Sequence, residues 1–219
     1  MIKAVTIDVD DTLCMTEAAS FALENTALTR MGREPMSRSI HVETWGQPLF
    51  EAILRRSPGV DVEAFKAAYH PAIEEFIADG KLDTIPDENY KALDELIAQG
   101  KLAMLLTSRT HGELKHMLEP DHLLATRVKE FYYRDTMQFH KPDPRAFDEL
   151  LSANDLQPKE CVYVGDSPSD AQAANGAGIY FVASLESGIR QRQDFASLSV
   201  DAFIDRFPDI VGAVATIDG

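Results

Sequence analysis

Short apolar runs alternate with helical patterns along most of the chain. Residues 2–8 are apolar and β-branched and end in acidic residues, which predicts a buried strand. Similar runs predict strands at 101–107, 161–165 and 179–182, with a weaker candidate at 131–134. The segments with helical periodicity between them are 87–99, 110–118, 144–153 and 168–177. This alternation predicts an α/β fold, a Rossmann-like parallel sheet with helices on both faces.

Residues 15–82 interrupt the alternation and predict a separate helical domain. They contain no convincing strand and show three helical stretches, near 16–31, 47–57 and 61–79. Glycine, proline and serine residues separate these stretches, as is usual at helix ends. We therefore expect an α/β core of residues 1–14 and 83–219 that carries a helical insertion of residues 15–82. The C-terminal segment, 187–219, predicts a helix, a strand around 202–204 and a terminal helix that complete the core.

Composition narrows the classes of partner. The chain has 219 residues and a formal net charge of -15, which opposes general electrostatic binding to nucleic acid or to an anionic membrane. The same charge repels an anionic substrate, so a phosphate site needs local positive charge from a metal ion, a lysine or a helix N-terminus. We expect a small-molecule partner, no nucleic acid, no membrane, and a monomer or small homo-oligomer.

The cysteines and the N-terminus bear on the compartment. The two cysteines, Cys14 and Cys161, form neither a disulfide framework nor a zinc-site spacing. The N-terminal residues become acidic within ten positions, unlike a signal peptide, and no apolar run approaches about 18 residues. These features predict a cytoplasmic protein.

Acidic residues follow two of the predicted strands. Asp8 and Asp10 end the first strand, and Asp166 and Asp170 follow the strand at 161–165. An isolated Asp-x-Asp is more often a turn, and Asp170 also fits a helix cap. In an open parallel sheet, however, ligands bind beyond the carboxyl ends of strands, where these side chains would meet.

Groups suited to binding phosphate follow the other strands. Thr107 and Ser108 end the second strand, where a hydroxyl and backbone N–H groups can hold a phosphate oxygen. Lys141 lies in the proline-stiffened turn HKPDP ahead of a helix. Alone, a terminal threonine is usually a cap and a lone lysine a surface charge. Together with the clustered carboxylates they indicate a site for a hard cation, and Mg²⁺, which prefers oxygen ligands, fits best.

In these motifs the chain resembles the haloacid dehalogenase superfamily. Its four ordered motifs are matched by IDVDDT, TS, KPDP and GDSPSD, and the resemblance spans residues 2–182. It implies that Asp8 is the nucleophile that forms an aspartyl-phosphate, and that Asp10 protonates the leaving oxygen and then activates water. Both roles suit carboxyl groups. Asp11 stands where the family usually has glycine, a change that alters the loop geometry or adds charge near the metal.

The resemblance also implies the remaining site residues. Mg²⁺ is held by Asp8, the backbone carbonyl of Asp10 and Asp166, with Asp170 as a further ligand or orienting group. The phosphoryl group is bound by Thr107 and Lys141. Dehalogenases of the family lack the acidic residue at the position of Asp10, so its presence favours phosphate chemistry.

The helical insertion resembles the cap of phosphoglycolate phosphatase-like and β-phosphoglucomutase-like members, which closes over the site and contacts the substrate. Its candidate specificity residues are Trp45, Gln47, Arg55 and Arg56. Each has a bland alternative: Trp45 as core of the cap, and the arginine pair as a solvated helix face.

The sequence predicts a magnesium-dependent phosphatase that hydrolyses a small phosphomonoester through an aspartyl-phosphate intermediate. One alternative is a phosphomutase that transfers the phosphoryl group to a sugar. A dehalogenase is a second, and a non-catalytic phosphate-binding protein on the same fold is a third.

Overall fold

A computed structural model describes all residues, Met1–Gly219. Its strands follow the predicted apolar runs closely: β1 Ala4–Ile7, β2 Leu102–Leu106, β3 Glu130–Tyr132, β4 Cys161–Gly165, β5 Tyr180–Ser184 and β6 Ala202–Ile204. They form one sheet in the order β3-β2-β1-β4-β5-β6, and every neighbouring pair is parallel. The predicted α/β fold with a parallel sheet is therefore confirmed.

Nine α-helices accompany the sheet. They are α1 Glu17–Arg30, α2 Arg38–Glu43, α3 Leu49–Arg56, α4 Val62–Ala78, α5 Asp87–Ala98, α6 His111–Leu114, α7 Asp148–Ala153, α8 Pro168–Ala177 and α9 Ile210–Asp218. Short 3₁₀ turns take the place of α-helix at 115–117 and 144–147, and at 192–195, where the sequence predicted a helix. None of the helices combines the length and the apolar character that crossing a lipid bilayer requires.

The chain forms two compact units, Met1–Cys14 with Ile85–Gly219, and Met15–Thr84. The first contains the sheet, and apolar clusters cover both of its faces. Because side chains alternate along a strand, Val162 and Val164 of β4 belong to one cluster while Cys161 and Tyr163 belong to the other. The strand order reverses between β1 and β4, and in such sheets a ligand crevice opens at that point, beyond the carboxyl ends of the strands.

The second unit, Met15–Thr84, is entirely helical and has its own apolar core, which includes Leu23, Leu28 and Phe65. It contains four helices where the sequence predicted three. The missed helix, α2, has the sequence RSIHVE, which is too short and too polar to show a periodic apolar face. The unit ends at Thr84, two residues beyond the predicted boundary.

Candidate active site

Three carboxylates converge where β1 and β4 end. Asp8 follows β1 directly, and its N–H donates to the carbonyl of Val164 on the neighbouring strand, at 2.9 Å. Asp166 follows β4, and Asp170 lies in the first turn of α8. Carboxylate oxygens of Asp8, Asp166 and Asp170 lie within 4.8 Å of one another, and all three residues are buried. The structure thus brings together acids that are separated by more than 150 positions in the sequence.

Lys141 supplies the positive charge inside this cluster. Its Nζ lies 3.0 Å from Oδ1 of Asp8 and 2.6 Å from Oδ1 of Asp170. A third neighbour is the hydroxyl of Tyr163 on β4, at 2.8 Å. The ammonium group is buried with its partners, so its charge is little screened by solvent and acts directly on the acids.

Asp170 serves the helix and the acidic cluster at once. Its Oδ2 accepts from the N–H and the hydroxyl of Ser167, at 3.0 and 2.6 Å, in a capping box at the start of α8. Its Oδ1 faces Lys141. A Cβ added at Gly165 would lie 2.7 Å from the Asp170 carboxyl group, so only glycine leaves room for this arrangement.

The titration behaviour reflects burial and crowding. Burial raises the pKa of Asp8 to about 7; Lys141 opposes the rise, and the charges of Asp170 and Asp10 add to it. Burial likewise raises the pKa of Asp166 well above its usual value, with contributions from Asp170, Asp8 and Asp11. For Lys141, burial lowers the pKa, but the charges of Asp170 and Asp8 outweigh burial and raise it overall. One buried lysine therefore does not neutralise the acids around it.

This donor set fits a hard divalent cation. The converging groups are carboxylate oxygens without histidine or cysteine, which suits Mg²⁺ rather than zinc. The raised pKa values of Asp8 and Asp166 reflect the free-energy cost of keeping these acids ionised side by side in a buried site. A cation among them would offset that cost.

The loop after β1 holds Asp10 and Asp11. The N–H groups of Leu13 and Cys14 donate to the carbonyl of Val9, at 3.0 and 3.1 Å, and close the loop. Asp11 is buried and has a φ of 53°, in the left-handed region that favours glycine. A glycine would adopt this backbone without strain, whereas Asp11 adopts it at some cost.

Asp10 is paired with an arginine that the sequence interpretation missed. Arg109 directs its guanidinium at both carboxylate oxygens of Asp10, with Nη2 2.6 Å from Oδ1. Arg109 follows the TS motif, in which only the two hydroxyl side chains were predicted to bind phosphate. The sequence did offer an indication of this role, because Arg109 lies two residues after Thr107, close to the end of a strand that pairs with β1.

The TS motif lies at the end of β2. Thr107 is fully buried, and its Oγ1 accepts from the N–H of Arg109 at 3.2 Å. A hydroxyl that accepts this bond still has its own hydrogen to donate. Ser108 is exposed. Thr107 is thus the more rigid of the two hydroxyl residues that were predicted to bind phosphate.

The second residue that sequence analysis missed is Tyr163. It lies on β4 within the run CVYVG, which reads as core. Its ring is core, but its hydroxyl reaches Lys141 and Asp170. Its position three residues before Asp166 could have indicated this role, because the hydroxyl of a buried tyrosine usually forms a hydrogen bond.

Within the helical unit, the two predicted specificity arginines differ. Arg56 is buried, donates from Nη1 to both carboxylate oxygens of Glu24 at 2.7 Å, and donates from Nε to the Thr44 hydroxyl at 2.8 Å. These bonds favour a structural role over substrate contact. Arg55 is exposed and pairs with Glu43 at 2.6 Å, which agrees with the solvated-face alternative.

The other two predicted specificity residues lie in the loop before α3. Trp45 is half-buried, and its ring centroid lies 5.3 Å from that of His41. It therefore partly fits the alternative that it is a core residue of the helical unit. Gln47 is exposed, and its N–H donates to the carbonyl of Thr44 at 3.2 Å. Gln47 is therefore available for contact with a ligand in a way that Arg56 is not.

Curated relatives are similar to the chain over nearly its full length. The phosphoglycolate phosphatase of Aliivibrio fischeri is 25% identical over 225 residues, which cover 98% of this chain and 97% of the relative. The phosphoglycolate phosphatase of Rhodospirillum rubrum is 26% identical over 220 residues, which cover 96% of this chain and 90% of the relative. The matches therefore extend over most of the chain and most of each relative.

Solved structures share the fold. CbbY from Rhodobacter sphaeroides, in complex with phosphate, superposes with a TM-score of 0.78 at 19% identity and covers 98% of this chain and 100% of that one. A β-phosphoglucomutase-like protein from Thermotoga maritima gives 0.81 at 21% identity, covering 98% and 99%. At this identity the likeness concerns the fold alone.

The haloacid dehalogenase-like hydrolase family matches residues 5–184, from the first strand through the fifth. This range contains a site residue from each of the four motifs: Asp8, Thr107, Lys141 and Asp166. The resemblance stated from the motifs is confirmed, and the chain belongs to the haloacid dehalogenase-like hydrolase family.

Proposed function

We propose that the protein is a magnesium-dependent phosphatase that hydrolyses a small phosphomonoester through a phosphorylated Asp8. The observation that carries this proposal is the buried carboxylate of Asp8, 3.0 Å from Lys141 Nζ, at the carboxyl end of β1 and beside Asp166 and Asp170. A carboxylate held against an ammonium group, in a cluster that suits a cation, is a nucleophile placed next to the charges that phosphoryl transfer requires.

In the first half-reaction an oxygen of Asp8 bonds to phosphorus, and the bond between phosphorus and the leaving oxygen breaks. Asp10 gives its proton to that oxygen, so the alcohol departs neutral. In the second half-reaction Asp10 takes a proton from water, and the water oxygen bonds to phosphorus. The acyl phosphate bond breaks, inorganic phosphate forms, and Asp8 is restored as a carboxylate.

The fixed donors of the site hold the transferring group. Lys141 lies 3.0 Å from Asp8, and Thr107 follows β2, the strand beside β1; the contribution of both is greatest when charge spreads over the phosphoryl oxygens. Asp8, the Asp10 carbonyl and Asp166 would hold Mg²⁺, with Asp170 as a further ligand or orienting group, and the bound cation would supply charge neutralisation at the phosphoryl oxygens. The lysine and the cation thus offset the net charge of -15 locally.

The relatives direct the choice of substrate. The curated proteins that match over nearly the whole chain are phosphoglycolate phosphatases, so 2-phosphoglycolate is the substrate to test first. Pentose and hexose phosphates come next, since CbbY with an aspartate substitution has been solved with xylulose-1,5-bisphosphate. Trp45 and Gln47 are the specificity candidates whose side chains are not fully engaged in the core of the helical unit.

The test is release of inorganic phosphate from a panel of phosphomonoesters with Mg²⁺ or with excess chelator. We expect turnover that requires the metal and is lost in Asp8→Asn, together with hydroxylamine-labile ³²P on wild-type protein quenched in acid during turnover with a ³²P-labelled substrate. Phosphate release that persists in Asp8→Asn would overturn the role of Asp8. Phosphoryl transfer between sugar phosphates without net release would replace the hydrolase with the phosphomutase.

A further inference from the structure

Tyr163 places one polar atom beneath the acidic cluster. It lies in the middle of β4 and pairs in register with Thr6 of β1, at the centre of the sheet. The side chain is fully buried, and its ring packs edge-on against Phe147, with centroids 5.0 Å apart, and against Phe181 at 6.2 Å. A ring fixed in a close-packed core holds its hydroxyl at a defined point.

The hydroxyl completes the hydrogen bonds of Lys141. An ammonium group can donate three hydrogen bonds and can accept none. Three acceptors surround Nζ at bonding distance: Asp170 Oδ1 at 2.6 Å, the Tyr163 hydroxyl at 2.8 Å and Asp8 Oδ1 at 3.0 Å. Two of these acceptors, on β4 and α8, lie on rigid elements, so they determine the direction of the third N–H, toward the nucleophile.

The tyrosine's own hydrogen ties the lysine to the rest of the site. The hydroxyl has one hydrogen and two acceptors within reach, Asp170 Oδ1 at 3.1 Å and the carbonyl of Leu106 at 3.2 Å. Leu106 immediately precedes the predicted phosphate-binding residue Thr107 on β2. Burial, with the charge of Asp170, raises the pKa of Tyr163 well above its usual value, so the hydroxyl keeps its hydrogen.

We propose that Tyr163 is a positioning residue for phosphoryl transfer: its hydroxyl fixes the Lys141 ammonium so that the remaining N–H is aimed at Asp8 and at the group transferred to it. This inference rests on the proposed function. It assigns to a strand residue a role that neither the four motifs nor the composition of the core indicates.

The substitution Tyr163→Phe isolates the hydroxyl because the ring and its packing stay. Lys141 then keeps two acceptors, and its third direction is less defined. Since fixed donors act mainly on the charge of the transition state, we expect kcat to fall about 10- to 100-fold while KM stays within about 3-fold. The matched control is Tyr132→Phe on β3, whose hydroxyl bonds to Glu130 and Asn154.

Inhibition by two anions distinguishes positioning from a general loss of structure. Orthovanadate binds phosphoryl-transfer sites in a five-coordinate form like the transition state, whereas inorganic phosphate stays tetrahedral. We expect Tyr163→Phe to weaken inhibition by vanadate at least about 10-fold and by phosphate less than about 3-fold. Partial unfolding lowers the amount of active enzyme, yet it leaves the ratio of the two inhibition constants unchanged.

The outcomes separate this inference from the proposed function. Wild-type protein without metal-dependent phosphatase activity on the whole panel would remove the proposed function itself. Active wild type with an unchanged kcat in Tyr163→Phe, or an equal weakening of vanadate and phosphate, would overturn the positioning role and leave the phosphatase intact. A fall in kcat with a selective loss of vanadate affinity, absent in Tyr132→Phe, would support it.

Discussion

Arg109 donates to both carboxylate oxygens of Asp10: Nη2 lies 2.6 Å from Oδ1, and Nε lies 3.2 Å from each oxygen. Arg109 is largely buried, so the pair is less screened than a surface ion pair. Asp10 is the residue proposed to move the proton in both half-reactions. Its orientation is therefore set from β2, by a residue 99 positions away in the chain.

Removing this arginine should impair proton transfer more than nucleophilic attack. We expect Arg109→Met to lower kcat about 10- to 100-fold with an alkyl phosphate, whose leaving oxygen needs a proton, and less with p-nitrophenyl phosphate, measured as the burst of p-nitrophenol. Arg127→Met is the control, because it removes an exposed Arg–Asp pair with Asp94 on α5. Equal losses with both substrates would show that Arg109 does not act through Asp10.

The nucleophile should also govern how the metal-free protein responds to pH. The pKa of Asp8 is about 7 in the folded protein against an ordinary 3.8, so the folded state keeps a proton that the unfolded state has lost. Stability of the chelated protein therefore falls as pH rises from about 4 to 7. Asp8→Asn cannot ionise, and we expect it to be more stable than wild type at pH 8, by on the order of 2–4 kcal/mol, with a smaller difference at pH 5.

Urea denaturation in excess chelator, repeated from pH 5 to 8, measures this difference. Asp143→Asn is the control: the pKa of Asp143 is about 2, because Arg145 donates to it, so this carboxylate stays ionised throughout and its substitution should shift stability equally at every pH. A constant difference between Asp8→Asn and wild type would contradict the raised pKa. Added Mg²⁺ should stabilise wild type far more than Asp8→Asn, since it binds the folded site.

Asp11 offers a separable test of strain and charge. Asp11 has a φ of 53°, and Asp155 has a φ of 50° in an exposed turn remote from the acidic cluster. Replacing an aspartate by glycine removes about 1 kcal/mol of strain from a left-handed backbone, but glycine loses more conformational entropy on folding. We expect Asp155→Gly, which changes only the backbone preference, to shift the free energy of unfolding by less than about 0.5 kcal/mol. Asp11→Gly also removes a buried carboxylate near Asp166, so the difference between the two shifts, measured by urea denaturation of the metal-free proteins, reports what that carboxylate contributes to stability.

The same substitution should weaken metal binding. Because Asp11 adds negative charge near Asp166, Asp11→Gly is expected to raise the half-saturating Mg²⁺ concentration by about 3- to 10-fold while kcat at saturating metal stays within about 3-fold. Magnesium titration of activity measures both quantities. An unchanged magnesium requirement would show that Asp11 is a backbone variation only.

Three of the site residues that sequence analysis predicted come directly after a strand: Asp8, Thr107 and Asp166. Asp8 and Asp166 follow apolar runs that are unambiguous strands, and a parallel sheet necessarily brings such ends to one edge. Arg109 and Tyr163 were missed because their roles depend on side-chain direction. A tyrosine in CVYVG satisfies the pattern of a core strand, and only the packed structure shows where its hydroxyl ends.

Helix α2 was missed for a related reason. Its residues do not form an apolar face, and what secures it is polar: His41 is fully buried, with Nδ1 2.6 Å from Glu17 and Nε2 3.1 Å from Glu24, both on α1. Helices are predicted from hydrophobic periodicity in the sequence. A helix that is held in place by buried hydrogen bonds lacks this periodicity, so it cannot be predicted until its bonding partners are known.

This network predicts how the two arginines of α3 differ. Arg56 supplies charge to Glu24 inside the helical unit, and removing it leaves a buried carboxylate with only His41 beside it. Breaking a buried pair from one side typically costs about 3–5 kcal/mol, whereas an exposed pair contributes about 0–1 kcal/mol. We expect Arg56→Ala to destabilise the protein strongly and Arg55→Ala, which loses an exposed pair with Glu43, to be nearly neutral.

Kinetics on the same variants tests the specificity role that the sequence suggested for both arginines. Arg56→Lys keeps a positive charge beside Glu24 although it gives up bonds to Thr44, so its KM, measured under conditions where the variant is folded, reports on substrate contact without unfolding of the helical unit. If Arg56 is structural, Arg56→Lys changes KM for 2-phosphoglycolate by less than about 3-fold, and Arg55→Ala does the same. A KM that rises 10-fold or more in either variant, with stability unchanged, would return that arginine to the substrate site and would require the guanidinium of Arg56 to leave Glu24 when substrate binds.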